Sequence, residues 1–231
     1  MKTIAQLLAI LVLMMTGVHS VTAQDRPDPN KPQGENLEVP EGWEVRLDRP
    51  SEEVIIGSNP DSSDIYFVNM TPGWHITTGP AGIFYHPANT ASANYSISTE
   101  LHLFDPGDRN REAFGLFWGG KNLQTEDQSY YYFLIRNTGE FLIKKRMGSE
   151  TELIQEWTSS DVIKVFNEDT EGASVQNQIS VTVQEDRITF MINEEEVASI
   201  SSEGMENEGV FGLRVNHSIN LHVSDLALMG E

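Results

Sequence analysis

Apolar residues in this chain recur with period two, not with the three-to-four-residue spacing of a helix. In I-S-V-T-V-Q, Ile179, Val181 and Val183 share one face while Ser180, Thr182 and Gln184 share the other. In R-I-T-F-M-I, Ile188, Phe190 and Ile192 do the same, and Glu185-Asp186 between the two runs predicts a two-residue hairpin. The densest region runs from Glu112 to Met147. There Asn137-Thr138-Gly139 separates S-Y-Y-Y-F-L-I-R from E-F-L-I-K-K-R-M, two runs of aromatic and β-branched residues that predict a long hairpin. Tyr130, Tyr132 and Leu134 fall on one face of the first run and Tyr131, Phe133 and Ile135 on the other, so both faces need covering and this is a central strand.

Shorter runs of the same kind flank the hairpin. Before it come W-E-V-R-L, E-V-I-I-G, D-I-Y-F-V, W-H-I-T, G-I-F-Y and Asn94 to Phe104; after it come E-L-I-Q-E-W, Gln178 to Gln184, Arg187 to Ile192, V-A-S-I, G-V-F-G-L-R-V-N and I-N-L-H-V-S-D-L-A-L. Ser159 to Phe166 is the one short stretch compatible with a helix. About twelve strands joined by hairpin-length loops predict an all-β, antiparallel two-sheet sandwich spanning residues 43–231. No fixed-period repeat argues for a propeller or solenoid.

The N-terminus reads differently. Lys2, an apolar core from Ile4 to Val18 and Val21-Thr22-Ala23 have the pattern of a cleaved signal peptide over residues 1–23, cut after Ala23. Residues 24–42, with Pro27, Pro29, Pro32 and Pro40, read as an extended tether. The expectation is a secreted or periplasmic bacterial protein without membrane insertion. Cysteine is absent, so stability must come from burial. A formal charge of -20 disfavours nucleic acid as a partner.

The strand, hairpin, Asn-terminated strand and Gly-rich return of I-S-V-T-V-Q-E-D-R-I-T-F-M-I-N-E-E-E-V-A-S-I…G-V-F-G-L-R-V resemble the late strands of concanavalin A-like jelly rolls. That group includes laminin-G-like domains, laminarinase-type glucanases and the 3-keto-disaccharide hydrolase domain. The segment W-H-I-T-T-G-P-A-G-I-F-Y-H is similar to the opening of the last. The resemblance covers Ile65 to Gly230 and implies a jelly roll; the superfold hosts lectins, hydrolases and inert spacers alike.

Candidate chemistry lies in the polar residues that interrupt the alternation. The E-x-D-x-x-E strand of retaining glucanases is absent. Arg136, Lys144, Arg146, Arg214, Asn216 and His222, with Trp118 or Tyr131 as bordering rings, would suit a carbohydrate: planar hydrogen-bond partners for hydroxyls and an aromatic surface for the sugar ring. The same pattern describes a solvated sheet face with cross-strand ion pairs. If the chain is an enzyme, Glu100 and His102 are the acid-base candidates. No cofactor is implied, although the Asp105 to Asn110 loop carries oxygen ligands of the kind calcium takes. The scattered histidines contain no H-x-H or H-x-x-x-H pair, so no zinc site is expected. Three functions stay open: a glycan-binding module without catalysis, a glycosidase of the keto-disaccharide type, and a structural or protein-interaction module.

Overall fold

The structure, a computed structural model, describes residues 37–230. The residues expected to form a signal peptide, and most of those expected to form a tether, lie outside this range. The remainder of the tether packs on the domain: Pro40 is buried, and the Glu38 carbonyl accepts the Asn69 amide at 2.9 Å.

Among the described residues, sixteen strands form two sheets. In chain order they are β1 (Glu44–Leu47), β2 (Ile56–Gly57), β3 (Ile65–Asn69), β4 (Trp74–Thr78), β5 (Gly82–Tyr85), β6 (Thr90–Ala91), β7 (Tyr95–Phe104) and β8 (Ala113–Lys121). Then follow β9 (Ser129–Arg136), β10 (Glu140–Met147), β11 (Glu150–Ser159), β12 (Ser174–Val183), β13 (Arg187–Ile192), β14 (Glu195–Ser201), β15 (Gly209–Val215) and β16 (Asn220–Gly230). One sheet has the order β1-β5-β15-β8-β9-β10-β11, with β6 beside β15; the other runs β14-β13-β12-β7-β16-β4-β3-β2. All pairings are antiparallel except β2 with β3. Every run named from the sequence holds a strand; the two-residue β6 is the one strand outside them, and the expected total of about twelve was low for those runs.

The expected alternation sets the interior. Ile179, Val181, Val183, Ile188, Phe190 and Ile192 from one sheet meet Phe114, Leu116, Trp118, Phe133 and Ile135 from the other in a single apolar core. Because β9 lies between β8 and β10, its opposite face is covered as well. Tyr130, Tyr132 and Leu134 join Ile83, Tyr85, Phe117 and Leu142 in a second apolar cluster on the outer side of that sheet.

Gly139 closes the central hairpin at φ 76° and donates its amide to the Arg136 carbonyl at 3.1 Å. Gly139→Ala places a side chain in the left-handed region, and we expect a loss of about 1 kcal/mol in urea unfolding. An unchanged midpoint would show that the turn tolerates a Cβ.

One reading of the sequence is corrected here. Ser159 to Phe166 is not helical, because side chains capture the backbone bonds a helix would use: Asn137 Oδ1 accepts the Phe166 amide, Asn177 Oδ1 accepts that of Lys164, and Asn193 donates to the Val162 carbonyl. Gly119 and Gly120 form a bulge inside β8, with Gly119 at φ 63°. A Cβ there would stand 2.7 Å from the Glu206 carbonyl oxygen, too close for any other residue.

Candidate functional site

The outer face of the β9 sheet is curled into a hollow. Strand β1 lies five strands from β10, which in a flat sheet would separate them by about 24 Å. Yet Asp48, directly after β1, has Oδ1 3.4 Å from Arg146 Nη1 on β10. Twist and curvature therefore bring opposite corners of the sheet together. The floor of the hollow is the second apolar cluster, with Tyr130, Tyr132 and Phe117 all at most 4 % exposed. The β8–β9 connection lies over one side: Leu123 is buried against the cluster, and Gln124 donates to both Glu44 and the Tyr85 hydroxyl.

Arg214 anchors the opening. It is the next-to-last residue of β15, 6 % exposed, and grips Asp48 with two parallel hydrogen bonds of 2.7 and 2.6 Å. It also donates to the Tyr130 hydroxyl at 3.3 Å and stacks its guanidinium 5.0 Å from the centre of the Tyr132 ring. Burial pushes the Asp48 carboxyl up, but the hydrogen bonds and charge of Arg214, with Arg146 behind them, outweigh it and hold Asp48 below its ordinary value. Burial pushes the Tyr130 phenol up.

Two clefts open on either side of Asp48 and Arg146, sharing Ser149 as well. One, of about 480 Å³, is walled by Arg49, Pro80, Ala81 and His217; the other, of about 620 Å³, by Arg46 and by Glu126, Asp127, Gln128 and Glu150. Both are in the size range of small-molecule sites, roughly 300–1,000 Å³.

The structure sorts the predicted residues into three places. Arg146 and Arg214 meet at the hollow, with Lys144 half-buried on the same face. Arg136 also belongs to that sheet face, but it is closed off by Glu140 at 2.6 Å and by the Trp157 ring 3.9 Å from its guanidinium carbon. Asn216 follows β15; its carbonyl accepts the Thr78 hydroxyl at 2.6 Å and its buried Oδ1 has no partner. Trp118 and Tyr131 are corrected. They stack on each other inside the sandwich, 5.5 Å between ring centres, and at 0 % and 3 % exposure neither can border a ligand. β8 and β9 present alternate residues to opposite sides, and the bland-looking Phe117, Tyr130 and Tyr132 took the outward positions.

Glu100, His102 and His222 lie on the other sheet, away from the arginines. His75, His222 and His102 sit directly opposite one another on β4, β16 and β7. Glu100 Oε1 is 3.0 Å from His102 Nε2 and accepts the Ser224 hydroxyl at 2.5 Å, while Ser224 Oγ is also 3.0 Å from that same Nε2. A nucleophilic relay needs the carboxylate on one ring nitrogen and the serine on the other; here both crowd Nε2. The Ser224 hydrogen bond first, then His102, hold the Glu100 carboxyl below its usual value, the opposite of what a general acid requires.

Among the described residues no cluster of three or more His, Asp and Glu is arranged to hold a metal ion. In the Asp105 to Asn110 loop, Asp105 accepts the Gly107 amide, and Asn110 donates to the Gly107 carbonyl while accepting from Asn137.

Sequence reasoning missed Asp48, Arg46, Arg49, Ser149 and His217. The available signal was Arg214 itself, since an arginine within G-V-F-G-L-R-V demands a carboxylate. With 35 acids in the chain, its identity was not readable.

No protein-family model matches the sequence, and no curated protein matches it. Solved structures do share the fold. The chain is similar to the carbohydrate-binding module CBM66 from Bacillus subtilis (TM-score 0.58, 12% identity, 86% of this chain and 100% of that one). It is also similar to a Bacillus subtilis protein of unknown function with a galectin-like fold (0.54, 11% identity, 80% and 88%). A third likeness is to a Bacteroides ovatus mixed-linkage glucan GH16 protein in complex with a G4G4G3G product (0.52, 10% identity, 84% and 97%). At these identities the likeness is one of fold: a concanavalin A-like jelly roll.

Proposed function

We propose that this chain is an exported glycan-binding module without catalysis of its own, and that it binds at the rim of the hollow. The observation carrying this reading is the Asp48–Arg146–Arg214 network between two ligand-sized clefts. Guanidinium groups fixed by their own hydrogen bonds offer sugar hydroxyls donors already in position. The fold shared with a carbohydrate-binding module supports it. Export rests on the sequence pattern of residues 1–23.

Among the described residues His217 carries the only aromatic ring lining either cleft, so recognition at the rim rests on hydrogen bonds and charge. The test is retention on a glycan array. Arg146→Lys keeps the charge but loses the planar fork, including the Nε–H donated to the Gly148 carbonyl at 2.9 Å. We expect roughly tenfold weaker retention of whichever glycan the native chain holds. Retention equal to the native chain's, or no glycan retained at all, would remove the reading.

The glycosidase alternative is favoured only by the contacts among Glu100, His102 and Ser224. It requires turnover that disappears in Glu100→Gln.

A further inference from the structure

We infer that the glycan bound at this rim is acidic, carrying a carboxylate or sulfate that sits in the cleft beside Arg49, Arg146 and His217. The inference rests on the glycan-binding reading and adds the class of sugar. In a chain with 35 acidic and 15 basic residues, arginines gathered at one point are not explained by solubility. Arg49 and Arg146 line this cleft with Arg214 behind them; the one carboxylate lining it is Asp48, and Glu112 stands outside it, 3.9 Å from His217. The Asp48 carboxylate is already spent, both oxygens being held by Arg214 at 2.7 and 2.6 Å, with Arg146 no nearer than 3.4 Å. The excess positive charge falls on the two guanidinium groups that line the cavity. Of these, Arg49 is exposed and takes part in none of the described hydrogen bonds or ion pairs. An anion presenting two oxygens side by side is the partner such forks are built to take.

The neighbouring cleft differs in kind. Its Glu126, Asp127 and Glu150 accept from hydroxyls, and Arg46 lines it beside them. Because the clefts share Asp48, Arg146 and Ser149, one oligosaccharide can place its charged unit in the first and a neutral unit in the second.

Calorimetry on the full chain decides it, using three probes of equal length: a uronate-containing oligosaccharide, its carboxyl-reduced counterpart and a sulfated one. We expect the uronate or the sulfated probe to bind, the reduced counterpart to bind at least about tenfold more weakly, and affinity to fall as salt rises. Which of the two charged probes binds identifies the anion. Arg49→Ala is expected to lower affinity for the charged probe about tenfold and Arg49→Glu to abolish it, with both variants melting as the native chain does because Arg49 supports no other contact. If the reduced probe binds as well as the charged one, or Arg49→Glu leaves binding unchanged, the inference is overturned while the glycan-binding reading stands. If neither these probes nor any array glycan binds, both fall together.

Discussion

Asp48→Ala is expected to cost about 3–5 kcal/mol of folding stability, the range for removing one partner of a buried ion pair. The loss arises from what is left behind. Arg214, 6 % exposed, would keep its charge with only the Tyr130 hydroxyl and the Tyr132 ring for company, and Arg146 would face it from across the hollow. Arginine cannot escape by giving up its proton. The net value of the intact pair is a separate quantity, so replacing Asp48 and Arg214 together by Leu and Met should recover most of the loss. Urea unfolding of the native chain, the single variant and the double variant gives the comparison. A single variant within about 1 kcal/mol of native would mean that the hollow admits enough water to solvate Arg214.

Acidification should destabilise the fold well above the range where carboxylates titrate. His75 on β4 is 1 % exposed, and burial first, then the neighbouring His222, depress it from 6.5 to about 4, against a smaller upward pull from Asn220. The groups facing it are Thr77 on its own strand, Tyr66 from β3, Phe104 from β7, and His222 with Asn220 from β16; His102 and Glu100 stand beyond His222. In the unfolded chain His75 takes up its proton near pH 6.5, whereas in the fold it resists until about pH 4. Between those values the unfolded state binds more protons, so stability is full above about 6.5 and falls as pH drops toward 4, by roughly 2–4 kcal/mol in all. His222, also depressed by burial and by His102, adds in the same direction. His75→Phe retains a ring against Tyr66 and Phe104 but has nothing to titrate. Its urea midpoint should change far less across that window than the native chain's, and parallel curves would place the acid sensitivity elsewhere.

Most of the sandwich could be read directly from residues. The period-two alternation of Ile179 to Val183 and Ile188 to Ile192, the Asn137-Thr138-Gly139 turn and the two-sided apolarity of Tyr130 to Ile135 each have a local cause, and each appears where it was expected. Ser159 to Phe166 failed because its backbone partners, Asn137, Asn177 and Asn193, come from three other parts of the chain. Trp118 failed for a different reason. Alternation states that Trp118 and Phe117 face opposite ways but not which way is inside, and in a strand apolar on both faces nothing local breaks the tie.

The candidate site was less legible still. Arg146 and Arg214 stood out as charges in apolar strands, but so did Arg136, which the structure ties to Glu140, and Glu100, His102 and His222, which it places on the other sheet. Asp48 is 98 residues from Arg146 and 166 from Arg214 in sequence.

By itself the sequence determined the class of fold, the central hairpin, the reliance on burial without disulfides and the presence of arginines that would need partners. Tertiary structure alone decided which face of each strand was inside, which carboxylate met those arginines and where a hollow opened. Side-chain alternation and turn chemistry act over a few residues and are written in the chain, whereas twist and curl accumulate over a whole sheet and bring together corners that no local pattern relates.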